Sequence, residues 1–360
     1  MRLLRFWLAS LLVVGLGGAG CSTSPLPSAS PSPIVWRFAI EETSGSVQDL
    51  YARGLSRKVE AASGGTVTVQ VYPYGTLGTS DQLTELLYNG SLQLAMASPG
   101  HLGKIIPEVQ VLLLHYVFDS DERVNREVLA SPRLLGAFDR LYAEKEFQLL
   151  AMFSEGWQVW TTQRPVRQPA DFRGMKFRVM TSPLLLAAYE AYGASATPLP
   201  YSDVYSGLQL KMIDGQVNPL FAIEEMSFHE VSEVLTVAGQ APFLTSCVAN
   251  RDFYQGLSDE QRGWLDGAVR EMDGEIFEIQ TRLNAERLQT ILKERPALRV
   301  VTLEEGEREA FRQASLPVRD LYRRAAGPRG AALLQILLDE VERVRGEVGE
   351  EKLKRERSQN

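Results

Sequence analysis

Two periods of apolar spacing take turns along this chain. From Ile34, VWRFAIE reads as a strand, SVQDLYARGLSRKVEAAS as a helix with apolar residues three and four apart, and GGTVTVQVYP as a strand; DQLTELLYNGS is then helical and LQLAMAS extended. Helical spacing alternating with short β-branched or aliphatic runs predicts βαβ units on a mostly parallel sheet. QLLAMFSEG ends this first α/β lobe. WQVWTTQRPV opens a second near Gly156, for which MKFRV, IDGQVN and the following apolar run supply strands. APFLTSCVANRDF then crosses back to the first lobe. It precedes SDEQRGWLDGAVREMDGEIFEIQTRLNAERLQTILKER, which has no proline and an unbroken helical period, so one long helix is predicted. That period fits a helix bridging two lobes and equally a coiled-coil or interaction helix, although Gly263, Gly267 and Gly274 weaken a strict heptad. The tail GEVGEEKLKRERSQN is charged, has no apolar face, and is predicted to fray.

The first residues, MRLLRFWLASLLVVGLGGAGC, run from Arg2 and Arg5 through an apolar core, Phe6 to Leu16, to small residues and Cys21. This is the layout of a secretory signal peptide over residues 1–20, too short to span a membrane comfortably. Gly18, Ala19, Gly20 and Cys21 resemble a bacterial lipoprotein cleavage box, with Gly18 where an aliphatic residue is usual. Cys21 is therefore expected to be lipidated and to anchor an extracytoplasmic or periplasmic protein to a bacterial membrane; ordinary cleavage or an uncleaved anchor is the alternative. Residues 21–33 then form a Ser/Pro-rich tether. At about 3.1 Å per residue it reaches roughly 37 Å.

Composition narrows the class. A chain of 360 residues that is 44% hydrophobic can bury a large core, and its length favours two lobes over one. Loss of Arg2 and Arg5 with the leader takes the formal net charge from −7 to −9, so nucleic acid is not an expected partner. Only Cys247 remains besides Cys21; it lies in the apolar run FLTSCVANRDF and reads as a buried small hydrophobe, with no intrachain disulfide expected. His101, His115 and His229 fall in unrelated contexts without metal-ligand spacing. With no G-x-S-x-G elbow, P-loop or G-x-G-x-x-G, the chain is expected to be neither an enzyme nor a binder of a metal or cofactor.

The densest chemistry lies between Phe172 and Leu220. In KFRVM, alternation turns Phe177 and Val179 to one face and Lys176, Arg178 and Met180 to the other. A guanidinium presents a planar fork of donors that matches a carboxylate. An arginine in such a strand is also a common structural ion-pair residue. Asn218 follows IDGQV in an expected turn before Pro219, which restricts its backbone to extended geometry. Its amide suits a ligand oxygen, and the same spacing suits an Asx-type turn.

RGMKFRV, GASATPLPYSDVYSGLQ and IDGQVNPL, in this order and spacing, resemble the solute-binding subunit of TRAP transporters, the DctP-type tripartite ATP-independent periplasmic family. The resemblance covers nearly all of Ile34 to about Leu338. It implies a type II periplasmic-binding-protein-like α/β fold: lobe I from 34–155 and 244–283, lobe II from 156–243 and 284–345, a ligand cleft between them, a long bridging helix, and 346–360 as the charged tail. It also implies that Arg178 clamps a ligand carboxylate, that Asn218 contacts the ligand, and that Tyr201, followed by Ser202 as a helix N-cap, stacks on it. Gln158 stands where several members, sialic acid receptors among them, carry a second arginine, so the expected ligand is a monocarboxylate. Trp157 and Trp160 crowd one strand, where one indole fills the core and the other faces the cleft; Tyr72, Tyr74 and Phe221 are placed near it. In the first lobe Glu41 or Glu42, Ser98 and His101 match ligand-contact positions, and a glutamate there favours a ligand that also carries an amine or hydroxyl. The implied function is an extracytoplasmic receptor that captures a small organic acid and delivers it to the small and large membrane permease subunits. A sensing module of a signalling system is the alternative reading of the same fold.

Overall fold

Strand β1 (Ile34–Ala39) buries Trp36, Phe38 and Ala39 and leaves Arg37 exposed, as its alternation predicts. The computed structural model describes residues 33–359, with side chains through residue 350, so the leader, Cys21 and most of the tether lie outside the described residues. Beside β1 run β2 (Val67–Tyr72) and β3 (Leu94–Ala97), both parallel to it. The sheet continues through β4 (Phe147–Thr162), β5 (Lys176–Val179), β6 (Ser195–Pro198), β7 (Gly215–Pro219), β8 (Val234–Val237), β9 (Pro242–Asn250) and β10 (Arg299–Thr302). Its spatial order is β2-β1-β3-β9-β4-β7-β5-β6, with β8 on the end of β4 and β10 on β8. The outer pairs are parallel, while β9 lies antiparallel to both β3 and β4 at the centre.

The strand predicted to end at Gly156 does not end there. β4 is one 16-residue strand whose residues 147–157 pair with β9 and whose residues 158–162 pair with β7 and β8. Its register slips between Ser154 and Gly156, and the slip is what lets one strand serve two halves of the sheet. Gly156 takes φ +115, and a Cβ there would lie 2.5 Å from the Asn284 amide, so a glycine is required twice over.

The long helix forms as predicted, over Asp259–Glu294, and starts at a capping box between Ser258 and Gln261. Leu265, Ala268, Met272, Ile276 and Leu283 pack in one cluster with Val47, Tyr51 and Leu55 of the helix Val47–Ala62. Farther along, Ile291 packs in another with Val159, Ile223 and Phe228. A third cluster backs β5: Phe177 stacks on Tyr189 at 4.5 Å, and Trp160 donates its Nε1–H to the Tyr189 hydroxyl at 2.9 Å. Cys247 is fully buried.

One expectation about the C-terminus is corrected. The helix Glu305–Gln359 breaks at Gly327, whose φ of 65 and ψ of −163 are non-helical, and restarts at Pro328, a residue suited to a first helical turn. The break redirects the chain. Before it, Phe311 packs on Trp160 and Phe172; after it, Glu340 accepts from Ser131 at 2.6 Å and Arg133 pairs with Asp339 at 3.1 Å. Residues 328–345 therefore cover the helices of 122–143. The charged tail stays helical to Gln359 where fraying was predicted. Glu, Lys and Arg are good helix formers, and lack of an apolar face does not by itself end a helix.

Candidate functional site

At the carboxyl ends of β1 and β3 the chain turns into loops and helix starts, the places where open α/β sheets present ligand-binding groups. Glu41 and Glu42 follow β1, Gln48 lies in the first turn of the helix Val47–Ala62, and Ser98 and His101 follow β3. Across from them stand Arg178 on β5, Tyr201 in a short 3-10 turn and Asn218 on β7. All of these line one cavity of about 30 Å³, the room of roughly one water molecule.

The β5 wall carries the cation. Because Phe177 and Val179 face the aromatic core, Arg178 faces the cavity, only 3% exposed, and its Nε donates to the Leu199 carbonyl at 2.9 Å. Among the described residues no carboxylate lies within ion-pair distance of its guanidinium. Burial lowers its pKa to about 10, with the Tyr201 and Tyr74 hydroxyls pulling the other way, so it stays charged at neutral pH. Asn218 is held in the same wall by a hydrogen bond from its Nδ2 to Gln216, which in turn donates to Thr161 at 3.0 Å.

The opposite wall carries carboxyl groups. Glu41 accepts from the Ser98 backbone N–H at 2.8 Å, and its own N–H donates to Gln48 Oε1 at 2.8 Å. Gln48 donates through Nε2 to Glu155 at 2.9 Å and through its backbone toward Glu42. Glu225 accepts from Thr43 at 2.8 Å, and its one cationic neighbour is Arg287 at 3.7 Å. Burial, above all, raises these carboxyls. It lifts Glu41 against the lowering pull of His101 and Ser98, and lifts Glu225 to about 8 with help from Glu42. Glu42 and Glu155 form a coupled buried pair, each raised by burial and each felt by the other, so the pair retains a proton at neutral pH. No N–H or hydroxyl of the described residues donates to Oε1 of Glu41 or to Oε2 of Glu155. Tyr201 stands between the walls, its hydroxyl raised well above the ordinary range by burial and then by Glu42 and Glu225, while Arg178 opposes. Tyr74 packs edge-on against it at 5.7 Å.

Of the residues singled out from the sequence, Arg178, Asn218, Tyr201, Glu41, Glu42, Ser98 and His101 come together here. Gln158 and Trp157 do not line the cavity: Gln158 donates to the Pro242 carbonyl at 3.4 Å, and Trp157 is half-buried opposite Pro242 in the β4–β9 ladder. Asn218 lies within β7 and not in a turn, and Pro219 caps the helix Leu220–Glu225. Ser202 caps nothing; its hydroxyl donates to Asp203. Phe221 is fully buried away from the cavity, and Trp160 is the indole that fills the core. His101 pairs with Asp81 at 3.0 Å and His229 with Glu294 at 2.9 Å; among the described residues no cluster suits a metal. Gln48, Glu155 and Glu225 were missed. A glutamate inside the apolar run LLAMFSEGW was the available signal, since an acid in a buried strand is costly unless used.

The comparisons with known proteins agree with one another. The family model described as bacterial extracellular solute-binding protein, family 7 (DctP), matches residues 38–325. The ectoine/5-hydroxyectoine-binding periplasmic protein UehA of Ruegeria pomeroyi is 37% identical over 301 residues, 83% of this chain and 88% of that protein. The crystallised periplasmic ectoine-binding protein of the TeaABC TRAP transporter of Halomonas elongata is 36% identical, with a TM-score of 0.83, covering 86% of this chain and 99% of the other. A TRAP periplasmic solute-binding protein from Marinobacter aquaeolei VT8, in an apo open structure, is 47% identical with a TM-score of 0.80, covering 85% of this chain and all of the other.

Proposed function

Since the chain belongs to the DctP family of bacterial extracellular solute-binding proteins and has the fold of TRAP receptors, we propose that its solute is a small zwitterion with a single carboxylate, of the ectoine class. The carrying observation is the separation of charge in the cavity: a buried arginine without a carboxylate partner faces glutamates with almost no cation. A ligand carboxylate fits the Arg178 fork and the Asn218 amide, and a delocalised cationic face fits Glu41 and Glu42, with Tyr201 against its ring. Ectoine has this layout, one carboxylate on a cyclic amidinium, and two of the relatives are named for binding it. The absence of a second arginine, with Gln158 turned to Pro242, favours one acid group over two.

In this reading the two halves of the sheet, 34–155 with 244–283 and 156–243 with the start of 284–345, close over the solute and hand it to TRAP permease subunits in the membrane. The relatives' names call them periplasmic and are silent on an anchor at Cys21. Fractionation of wild type against Cys21→Ala decides that point: release of the variant alone supports the anchor.

Calorimetry tests the ligand class with three probes: ectoine, cyclohexanecarboxylate and a C4 dicarboxylate. Ectoine is expected to bind, and at a hundredfold excess over Kd to stabilise the fold by about 2.7 kcal/mol. Equal or tighter binding of either cation-free acid overturns the zwitterion.

A further inference from the structure

A second cavity, of about 430 Å³, lies away from the cleft between the helix Glu122–Leu129, residues 150–154 of β4 and about two turns of the long helix, 273–280. Its size falls within the usual range for small-molecule pockets. Leu129, Leu150, Met152, Phe153 and Phe277 make its walls apolar. Its charged lining is unbalanced: Glu122, Glu127 and Asp273 against Arg126 alone.

At the mouth of the cavity Arg126, Glu127 and Asp273 are exposed, and Glu122 is half-buried. Among the described residues Glu127 and Asp273 have no ion pair or hydrogen bond, and Glu122 accepts only from the neutral Gln280 amide at 3.1 Å. Arg126 is also free of carboxylates. Its guanidinium lies over the Phe277 ring, 5.2 Å from the centroid, so a wall of this cavity already accepts a cation on an aromatic face. Apolar walls, an aromatic ring and excess uncompensated carboxylates are together complementary to one class of molecule.

We propose that this cavity is a second binding site, distinct from the solute cleft, for a compact organic cation with an apolar body, such as an arylalkylammonium. The apolar body fills the space between Met152, Phe153 and Phe277, and the charged head reaches Asp273 and Glu127. The site adjoins the joint of the fold. Ser154 accepts from the Gly156 N–H at 3.1 Å, and the next residue, Glu155, is buried behind the cleft, where it accepts from the cleft residue Gln48, while its carbonyl accepts from Asn284 of the long helix at 2.8 Å. Occupancy of the back cavity thus bears on the strand that carries Glu155.

The test is calorimetric titration of the full chain with phenethylammonium chloride, and with phenethyl alcohol as the neutral isostere. Four proteins are compared: wild type, Asp273→Asn, Glu127→Gln and Glu41→Gln, each with its melting curve recorded. Binding of the cation, little binding of the alcohol, and affinity about tenfold weaker in Asp273→Asn are expected, the loss typical of one charge-assisted contact. Glu41→Gln should bind as wild type does. Glu127 is exposed, so Glu127→Gln folds and gives the same reading should Asp273→Asn not. Three outcomes overturn the proposal: no binding at millimolar cation, equal binding of the alcohol, or a loss in Glu41→Gln with none in the two cavity variants.

Discussion

On the C-terminal helix several arginines are matched with acids: Arg312 with Glu305 and Glu309, Arg323 with Asp320, Arg343 with Glu340 and Glu347. In and behind the cleft, by contrast, Arg178 donates to a backbone carbonyl, and Glu41, Glu42 and Glu155 have no ion-pair partner among the described residues. Apart from the buried Glu340, these helix pairs sit in water, where each contributes at most about 1 kcal/mol. The cleft charges are buried, where lack of a partner costs several times as much. The same chain thus makes ion pairs where they matter little and withholds them where they matter most. A solute that supplies both missing partners recovers what the fold leaves unspent.

The comparison breaks most sharply at Arg178. Arg178→Ala should weaken ectoine binding by about 2 to 5 kcal/mol, the usual cost of removing one partner from a buried charge pair, or roughly thirtyfold to several thousandfold. Arg178→Lys should recover only part, because an ammonium lacks the planar fork. The melting temperature of the unliganded protein should not fall in either variant, since the side chain is buried at a cost and pairs with no acid. Unfolding of Arg178→Ala without ligand would make the residue structural instead.

On the acidic wall, Glu41→Gln keeps the shape and removes one charge. Affinity for ectoine should drop by about 1.5 to 3 kcal/mol, the range of a hydrogen bond to a charged group, while cyclohexanecarboxylate affinity stays level or rises. Calorimetry on the two ligands separates the outcomes; parallel loss for both would show that Glu41 does not read the ligand's cation.

Acidity then distinguishes fold from binding, because the two move in opposite directions. Glu225 is raised to about 8 and the Glu42–Glu155 pair is raised as well, above an ordinary carboxyl near 4.3. The folded protein therefore holds more protons than the unfolded chain between about pH 4.5 and 8, so this contribution to stability is full below that window and lost across it as pH rises. The unliganded melting temperature should decline by a few degrees from pH 5 to 8. A cationic ligand favours the ionised carboxyls, so the shift it produces should grow over the same window. Melting curves with and without ectoine check both signs. Smallest of all, Arg323→Ala on the helix should alter stability by about 0.5 kcal/mol or less in chemical denaturation.

Much of this was legible beforehand, and the reasons are local. Alternation in KFRVM correctly turned Arg178 away from Phe177, and the unbroken period after Ser258 marked the long helix. What was not legible depends on the two register slips in β4, at Leu149–Ala151 and Ser154–Gly156. Counting faces through WQVW assumes a regular pleat, and a one-residue shift reverses every face beyond it. Gln158 was placed by likeness to other receptors, yet its side chain reaches Pro242, and Glu155 arrives behind the cleft from a strand that looked finished. Glu225 comes from a helix behind β7, a distance that no spacing in the sequence encodes.

β4 and the helix Asp259–Glu294 each pass from one half of the sheet to the other without a loop. A hinge built of continuous elements behaves as a leaf spring. Its stiffness comes from ladder and helix hydrogen bonds, and its softest point is where the ladder already slips, at Ser154 and Gly156. Glu155 rides on that leaf. In the proposed closure, flexing would shift the Glu42–Glu155 pair relative to the solute, so that elastic recoil and loss of grip would be a single motion.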